Sequence, residues 1–194
     1  LATILNVIFV SKLEAVIPDD SERAGFVGSF FSLVNVITMV LQIVILPPIM
    51  SIIEPRDLWR AVPFISLLFT VFQSSLKNPS LAVVSASLLI MKVSEYSARR
   101  LLDELVFVPL DYESRFLGKE VIGVFGYRFG KSLMSLAVSG IAQVAGNGNF
   151  GLQQKSYLGT LIALGWMQTA WRLSNLVPTK AEAEEAYKKE KVKK

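Results

Sequence analysis

Charged residues in this chain are gathered into a few short stretches, and the sequence between them is almost wholly apolar. Residues 24–53 run thirty positions without Asp, Glu, Lys or Arg. Residues 61–91 hold one charge, Lys77, inside the breaker Lys77-Asn78-Pro79, and residues 132–154 and 156–171 hold none. About 20 mostly apolar residues cross the hydrocarbon core of a bilayer as a helix, so the first run is long enough to cross with tilt. Helices in water seldom go so many turns without a charge on any face. The pattern predicts an all-α fold, a polytopic transmembrane helix bundle. A soluble bundle of very apolar helices is the alternative.

Breakers and caps divide the chain. Residues 1–13 read as the end of a transmembrane helix that begins before Leu1. Pro18-Asp19-Asp20-Ser21 is a turn, with Ser21 or Asp20 placed to cap the next helix. That span covers about residues 23–53 by the length rule. Its Asn35, Thr38 and Gln42 form a narrow stripe expected to face the bundle interior, because polar groups in lipid seek other helices. Pro47-Pro48 is expected to bend or end it. Glu54-Pro55-Arg56-Asp57 reads as a polar loop and Lys77-Asn78-Pro79 as a hairpin. Further spans are expected at residues 60–76, from 79 past Met91, at 119–145 and at 156–177, with Gly146-Asn147-Gly148-Asn149 as a loop and Pro178 as a stop. The expected organisation is a truncated helix end (1–13), a five-helix transmembrane bundle (14–177) and a charged solvent-exposed tail (178–194). Twelve of the basic residues fall on the face carrying the tail and four on the other, which sets an orientation by the positive-inside rule.

Composition narrows the chemistry. The chain of 194 residues contains no Cys and no His. That excludes disulfide frameworks, thiolate catalysis, Cys/His zinc sites and His-ligated haem. No cofactor, metal or nucleic-acid partner is expected. Asp111 and Glu113 lie in a loop without a second acidic cluster, so an enzyme is disfavoured. Gly130-Lys131-Ser132 invites a phosphate-loop reading, but the motif needs a glycine where Phe125 stands.

The charges inside the apolar runs are the candidates for function. Lys92, Glu95, Arg99 and Asp103 fall within about 80° of helical arc and alternate in sign. Ionisable groups at membrane depth mark substrate or ion pathways; the plainer reading is a salt-bridge ladder at the headgroup level. Arg128 and Lys131 lie one turn apart and would suit an anionic substrate, or would be basic ends snorkelling from a tightly packed helix. Gly126 and Gly130 form a GxxxG pair that permits close helix contact, with Ser135 and Ser139 continuing the small surface. Gly165, Gln168 and Arg172 share a stripe, and Trp166 and Trp171 suit packing or an interfacial belt.

One stretch of text carries a family likeness. Glu104-Leu105-Val106-Phe107-Val108-Pro109-Leu110-Asp111, then Glu113-Ser114, Gly118-Lys119 and Gly130-Lys131-Ser132, resembles the plastidial and bacterial-parasite ATP/ADP translocases, the TLC family. Ser11-Lys12-Leu13, Phe26, Gly28 and Phe31 extend the resemblance upstream. It implies the C-terminal half of a major-facilitator-like carrier exchanging ATP for ADP, in a plastid membrane (inner envelope or thylakoid) or a bacterial inner membrane. Lys131 then matches a lysine implicated in nucleotide transport, and Lys119 and Glu104 match charged positions near the inner mouth. Lys131, Arg128, Lys92, Glu95 and Lys119 are the expected substrate-binding residues, with the bilayer, a nucleotide and other membrane subunits as partners. Departures from the family pattern at Asn6, Arg100-Leu101-Leu102, Gly123 and Leu133-Met134 keep a second reading open. In it the chain is a carrier-derived structural subunit of a larger membrane complex, for example a photosynthetic one, that no longer transports.

Overall fold

The computed structural model describes residues 1–107, 112–145, 151–176, 179 and 182. Motif residues 108–111, the loop at 146–149, Pro178 and the tail residues 183–194 lie outside the described residues. The described chain forms an all-α bundle. We number its helices α1 (Ala2–Val16), α2 (Asp20–Ile52), α3 (Pro55–Ser75), α4 (residues 81–107), α5 (residues 112–145) and α6 (Leu152–Ser174).

Two of the helices start at a side-chain cap that satisfies a free N–H group, and a third starts at a proline. Asp19, rather than Asp20 or Ser21, caps α2, its carboxylate accepting from the Glu22 N–H at 2.8 Å. Asp20 and Glu22 then lie in the first turn, where the helix dipole favours acids. The segment expected as a loop, Glu54-Pro55-Arg56-Asp57, is instead the start of α3. Pro55 occupies the first turn, where a missing N–H has no partner to lose. Ser80 caps α4 through the Val83 N–H at 3.4 Å. The hairpin before it is tied to α1 by Lys12, which donates to Asn78 Oδ1 at 2.8 Å.

Three helices contain wide, π-helical turns: Leu41–Ile45 in α2, Glu95–Arg99 in α4 and Ile122–Phe129 in α5. The first has a visible cause. Pro47 and Pro48 cannot donate to the carbonyls four residues back, and their rings crowd that turn. The helix widens ahead of them and continues to Ile52 instead of ending. A wide turn leaves backbone carbonyls short of helical partners. In α4 the Tyr96 carbonyl accepts from Gln42 Nε2 of α2 at 2.7 Å, so two widened turns face each other. The polar stripe of α2 is therefore split. Gln42 reaches α4 and Thr38 is half-buried, but Asn35, expected inside, is exposed.

Helix α1 is central. Ile4, Leu5, Ile8, Phe9 and Leu13 are buried, and α1 packs against α4, α5 and α6. Phe9 stacks on Phe30 of α2 with ring centroids 4.8 Å apart. Around this core the polarity is inverted. On α3, Ser66, Thr70, Gln73 and Ser74 are buried while Phe64, Ile65, Leu68, Val71 and Phe72 are exposed. Gln73 is 1% exposed and its neighbour Phe72 is 56% exposed. The polar face meets α6, whose buried stripe is Ser156, Gly159, Ala163, Ala170 and Ser174. Small residues let the two backbones approach, and hydrogen bonds then fasten them. Gln73 Nε2 donates to Ser156 Oγ at 3.0 Å, and Thr160 Oγ1 donates to the Thr70 carbonyl at 3.1 Å.

Among the described residues two helices, Asp20–Ile52 and Leu81–Asp103, are long and apolar enough to cross a membrane. Of the most apolar stretch of the first, only 22% is buried inside the molecule. Its exposed side carries Leu33, Val36, Met39, Ile43 and Val44.

Candidate functional site

The second half of α4 and the middle of α5 bring the intramembrane-type charges of the sequence together. Lys92 and Glu95 lie on successive turns of α4, with Lys92 Nζ 3.7 Å from Glu95 Oε2. From α5, Lys131 Nζ comes within 3.7 Å of the other oxygen, Glu95 Oε1. The side chains are 8% exposed for Glu95, 14% for Lys92 and 58% for Lys131. Glu95 is thus a deeply placed carboxylate between two ammonium groups, one of them at an open edge. Both gaps exceed the usual N–H···O range of about 2.7–3.2 Å, and Glu95 Oε2 has no hydrogen-bond partner among the described residues. Charge holds this carboxylate; hydrogen-bond geometry does not lock it. Lys92 is steadied by Tyr96, whose hydroxyl lies 3.4 Å from Nζ and whose ring centroid lies 5.3 Å away.

Beside the cluster is a cavity of about 270 Å³, walled by Leu1, Ala2 and Thr3 at the start of α1 and by Glu95, Arg99, Gly126, Gly130 and Lys131 among others. Two of these walls are backbone. A Cβ at Gly126 would meet only the Ile122 side chain at 3.7 Å, and one at Gly130 would meet nothing within 4 Å among the described residues. The GxxxG pair therefore faces open space here, with no helix seated on it among the described residues.

Arg99 connects this cavity to a second. It pairs with Asp103 at 3.9 Å, lies 5.7 Å from the Trp166 ring centroid, and also lines a cavity of about 180 Å³ with Trp59, Pro63, Leu102, Trp166 and Thr169. The alternating row expected on α4 splits into two pairs, Lys92 with Glu95 and Arg99 with Asp103, on either side of the wide turn.

Of the expected substrate-binding residues, Lys92, Glu95 and Lys131 come together, and of these Glu95 and Lys131 line the cavity while Lys92 does not. Arg128 is exposed and does not line the cavity, although it lies three residues before Lys131. A wide turn holds more residues than an α-turn, so that spacing no longer returns to the same face. Lys119 is half-buried, farther back along α5. Gln168 and Arg172 lie along an open groove on the outside of α6.

Sequence reasoning missed Arg60. Its guanidinium donates to Ser174 Oγ at 2.7 Å and to Asn175 Oδ1 at 2.8 Å, and lies 4.6 Å from the Trp171 ring centroid. It clamps the start of α3 to the end of α6. The buried stripe of α3 was also unread, although Ser66, Thr70, Gln73 and Ser74 recur at helical spacing. Among the described residues no group of three or more Asp or Glu side chains converges on a metal-sized site.

No protein-family model matches the chain, and no solved structure matches it. Among curated proteins it is similar to the ADP,ATP carrier protein 1 of Chlamydia muridarum (strain MoPn / Nigg), 24% identical over 200 residues that cover 94% of this chain and 38% of that protein. It is similar to the ADP,ATP carrier protein 1 of Chlamydia trachomatis serovar D to the same degree, 24% over 202 residues. The chain spans under two-fifths of the length of these relatives. The likeness supports a distant relationship to carrier proteins and a generic carrier-like character.

Proposed function

We propose that this bundle lies in a lipid bilayer and forms the C-terminal half of a carrier of the nucleotide-exchange type. The inverted polarity of α3 and the bare apolar side of α2 support the bilayer. Burying Gln73 while leaving Phe72 outside is unfavourable in water and favourable in hydrocarbon. The observation that carries the functional reading is the meeting of Lys92, Glu95 and Lys131 beside the 270 Å³ cavity. ATP and ADP would place phosphate oxygens there, with Lys131 and Lys92 neutralising their charge and Arg99 at the far wall. Ammonium groups in a site of low dielectric bind anions strongly and release them when the surroundings rearrange. A second bundle would close the cavity from the side of α5, and alternating access would rock one bundle against the other.

The test is uptake by vesicles containing the full-length protein. ATP/ADP exchange that saturates, and that falls at least about tenfold in Lys131→Ala, supports the reading. Absence of exchange by a correctly inserted wild-type protein refutes it.

One observation favours a second reading, a carrier-derived subunit that packs into a larger membrane complex. Phe116, Phe125, Phe129, Leu133 and Leu136 are all exposed along α5, a surface suited to neighbouring helices. Stoichiometric co-purification with other membrane subunits, together with no uptake, would support it over the first.

A further inference from the structure

The cavity of about 180 Å³ shares Arg99 with the larger one but lies among α3, α4 and α6. Part of its lining is small, apolar and buried: Pro63 of α3, Leu102 of α4 and Ala170 of α6. The rest is larger and half-buried: Trp59, Arg99 and Trp166. No carboxylate lines it among the described residues. The Thr169 hydroxyl is already spent on the Gly165 carbonyl at 2.8 Å. The remaining polar side chains in the lining, one guanidinium and two indoles, can only donate. Neither indole N–H has a hydrogen-bond partner among the described residues. Donors gathered over an apolar hollow suit a ligand with acceptor oxygens at one end and hydrocarbon at the other.

In the bilayer reading of the bundle, on which this inference rests, the cavity falls at a distinctive depth. Trp59 is four residues past Pro55, and Trp166 is eight residues before Ser174. At 1.5 Å per residue both lie roughly 6–12 Å inside the helix ends. There headgroups give way to acyl chains, and tryptophan keeps its ring in apolar surroundings and its N–H near polar ones. Arg56, Arg60 and Arg100 lie at the same end of the bundle, on the face to which the positive-inside count assigns most of the basic residues. Cations between helices at that level attract anionic headgroups.

We infer that this cavity is a site for an anionic phospholipid. Its phosphate accepts from Arg99 and the two indoles, and the first part of an acyl chain lies against Pro63, Leu102 and Ala170. A guanidinium carries five N–H donors, so pairing with Asp103 and binding a phosphate are compatible. The exposed Leu173 in the lining, and Phe64 next to Pro63, continue the apolar surface along which the rest of the chain runs.

Fluorescence quenching tests the site. The full-length protein is placed in phosphatidylcholine vesicles containing either phosphatidylglycerol or phosphatidylcholine brominated in the upper part of the acyl chains. The signal of the cavity is the part lost when Trp59 and Trp166 are both replaced by Phe. Brominated phosphatidylglycerol should quench it at about fivefold lower mole fraction than brominated phosphatidylcholine, the effect of one nearby cation. Arg99→Gln should abolish that preference. Thr169→Phe, which enters the cavity from an exposed position without altering its charge, should weaken quenching by both lipids and serves if Arg99→Gln does not fold. Equal quenching of the wild type by the two lipids overturns the anionic site. A preference that survives in the variants, or a cavity signal that neither lipid quenches in protein that floats with the vesicles, overturns it as well. Protein that does not float with vesicles overturns the bilayer reading itself.

Discussion

The seam between α3 and α6 and the junction between α4 and α5 use different kinds of polar residue, with different results. Both bring polar side chains into the bundle. At the seam most are short, neutral and paired at 3.0–3.1 Å, Gln73 with Ser156 and Thr160 with Thr70, with the charged Arg60 clamping one end. At the junction they are long, charged and held at 3.7 Å beside open space. Short neutral groups cost little to order and let backbones close on one another. Long charged groups keep rotamer freedom and hold their partners at a distance. One region is fastened by short hydrogen bonds; the other sets longer ion pairs beside a cavity.

The comparison breaks most readily at the seam. Ala163 is fully buried on α6; Ala163→Phe should cost about 3 kcal/mol by overpacking, read as a lower unfolding midpoint in detergent. If that variant is as stable as wild type, the seam is not close-packed. Lys131→Met should do the reverse. Exchange should fall at least about tenfold, while Glu95 keeps Lys92 as a counter-charge and the loss of stability stays below about 2 kcal/mol. Equal losses of stability and transport would mean that Lys131 is a fastening too. Gln73→Leu sharpens the contrast further. It removes the bond to Ser156, but also a buried amide oxygen with no partner among the described residues. The net cost should be below about 1 kcal/mol by the same unfolding measurement.

The smallest effect lies outside both regions. Thr179 and Glu182 exchange reciprocal hydrogen bonds, the Thr179 N–H donating to the Glu182 carboxylate at 2.7 Å and the Glu182 N–H donating to Thr179 Oγ1 at 3.3 Å. The backbone and then the side chain of Thr179 hold the Glu182 carboxyl below its ordinary value. A lowered acid contributes its stabilisation above the unfolded value and loses it as the pH falls through the lowered one. The protection factor of the Thr179 amide, corrected for the intrinsic slowing of exchange in acid, should therefore fall on acidification below the ordinary glutamate range, with transport unchanged. Protection that persists in acid would show that the carboxylate does not hold that amide.

Legibility differed between these regions for physical reasons. The long uncharged runs showed where the helices are, because charge is excluded from apolar surroundings whatever packs against them. Turns marked by Lys77-Asn78-Pro79 and Pro18 were equally plain. The beginning of α3 was misread, since Pro55 and Asp57 suit a loop and a first helical turn alike. Pro47-Pro48 signalled a disturbance whose outcome, a wide turn and a continuing helix, depended on contact with α4. Asn35 was misplaced because spacing alone cannot say which side of a helix has neighbours. Arg60 was missed because its partners lie more than a hundred residues away.

The sequence by itself determined that the chain is helical, where its breaks fall, and that Lys92, Glu95 and Lys131 would be unusual wherever they came to rest. Those properties follow from the side chains and the backbone's need for hydrogen bonds, which act over a few residues. Only the tertiary structure decided that Glu95 pairs with Lys131 beside a cavity, that Arg128 stays exposed away from it, and that α3 buries Ser66 and Ser74 and exposes Phe64 and Phe72. Each of these depends on which helix lies beside which, and on wide turns that change the face a residue occupies.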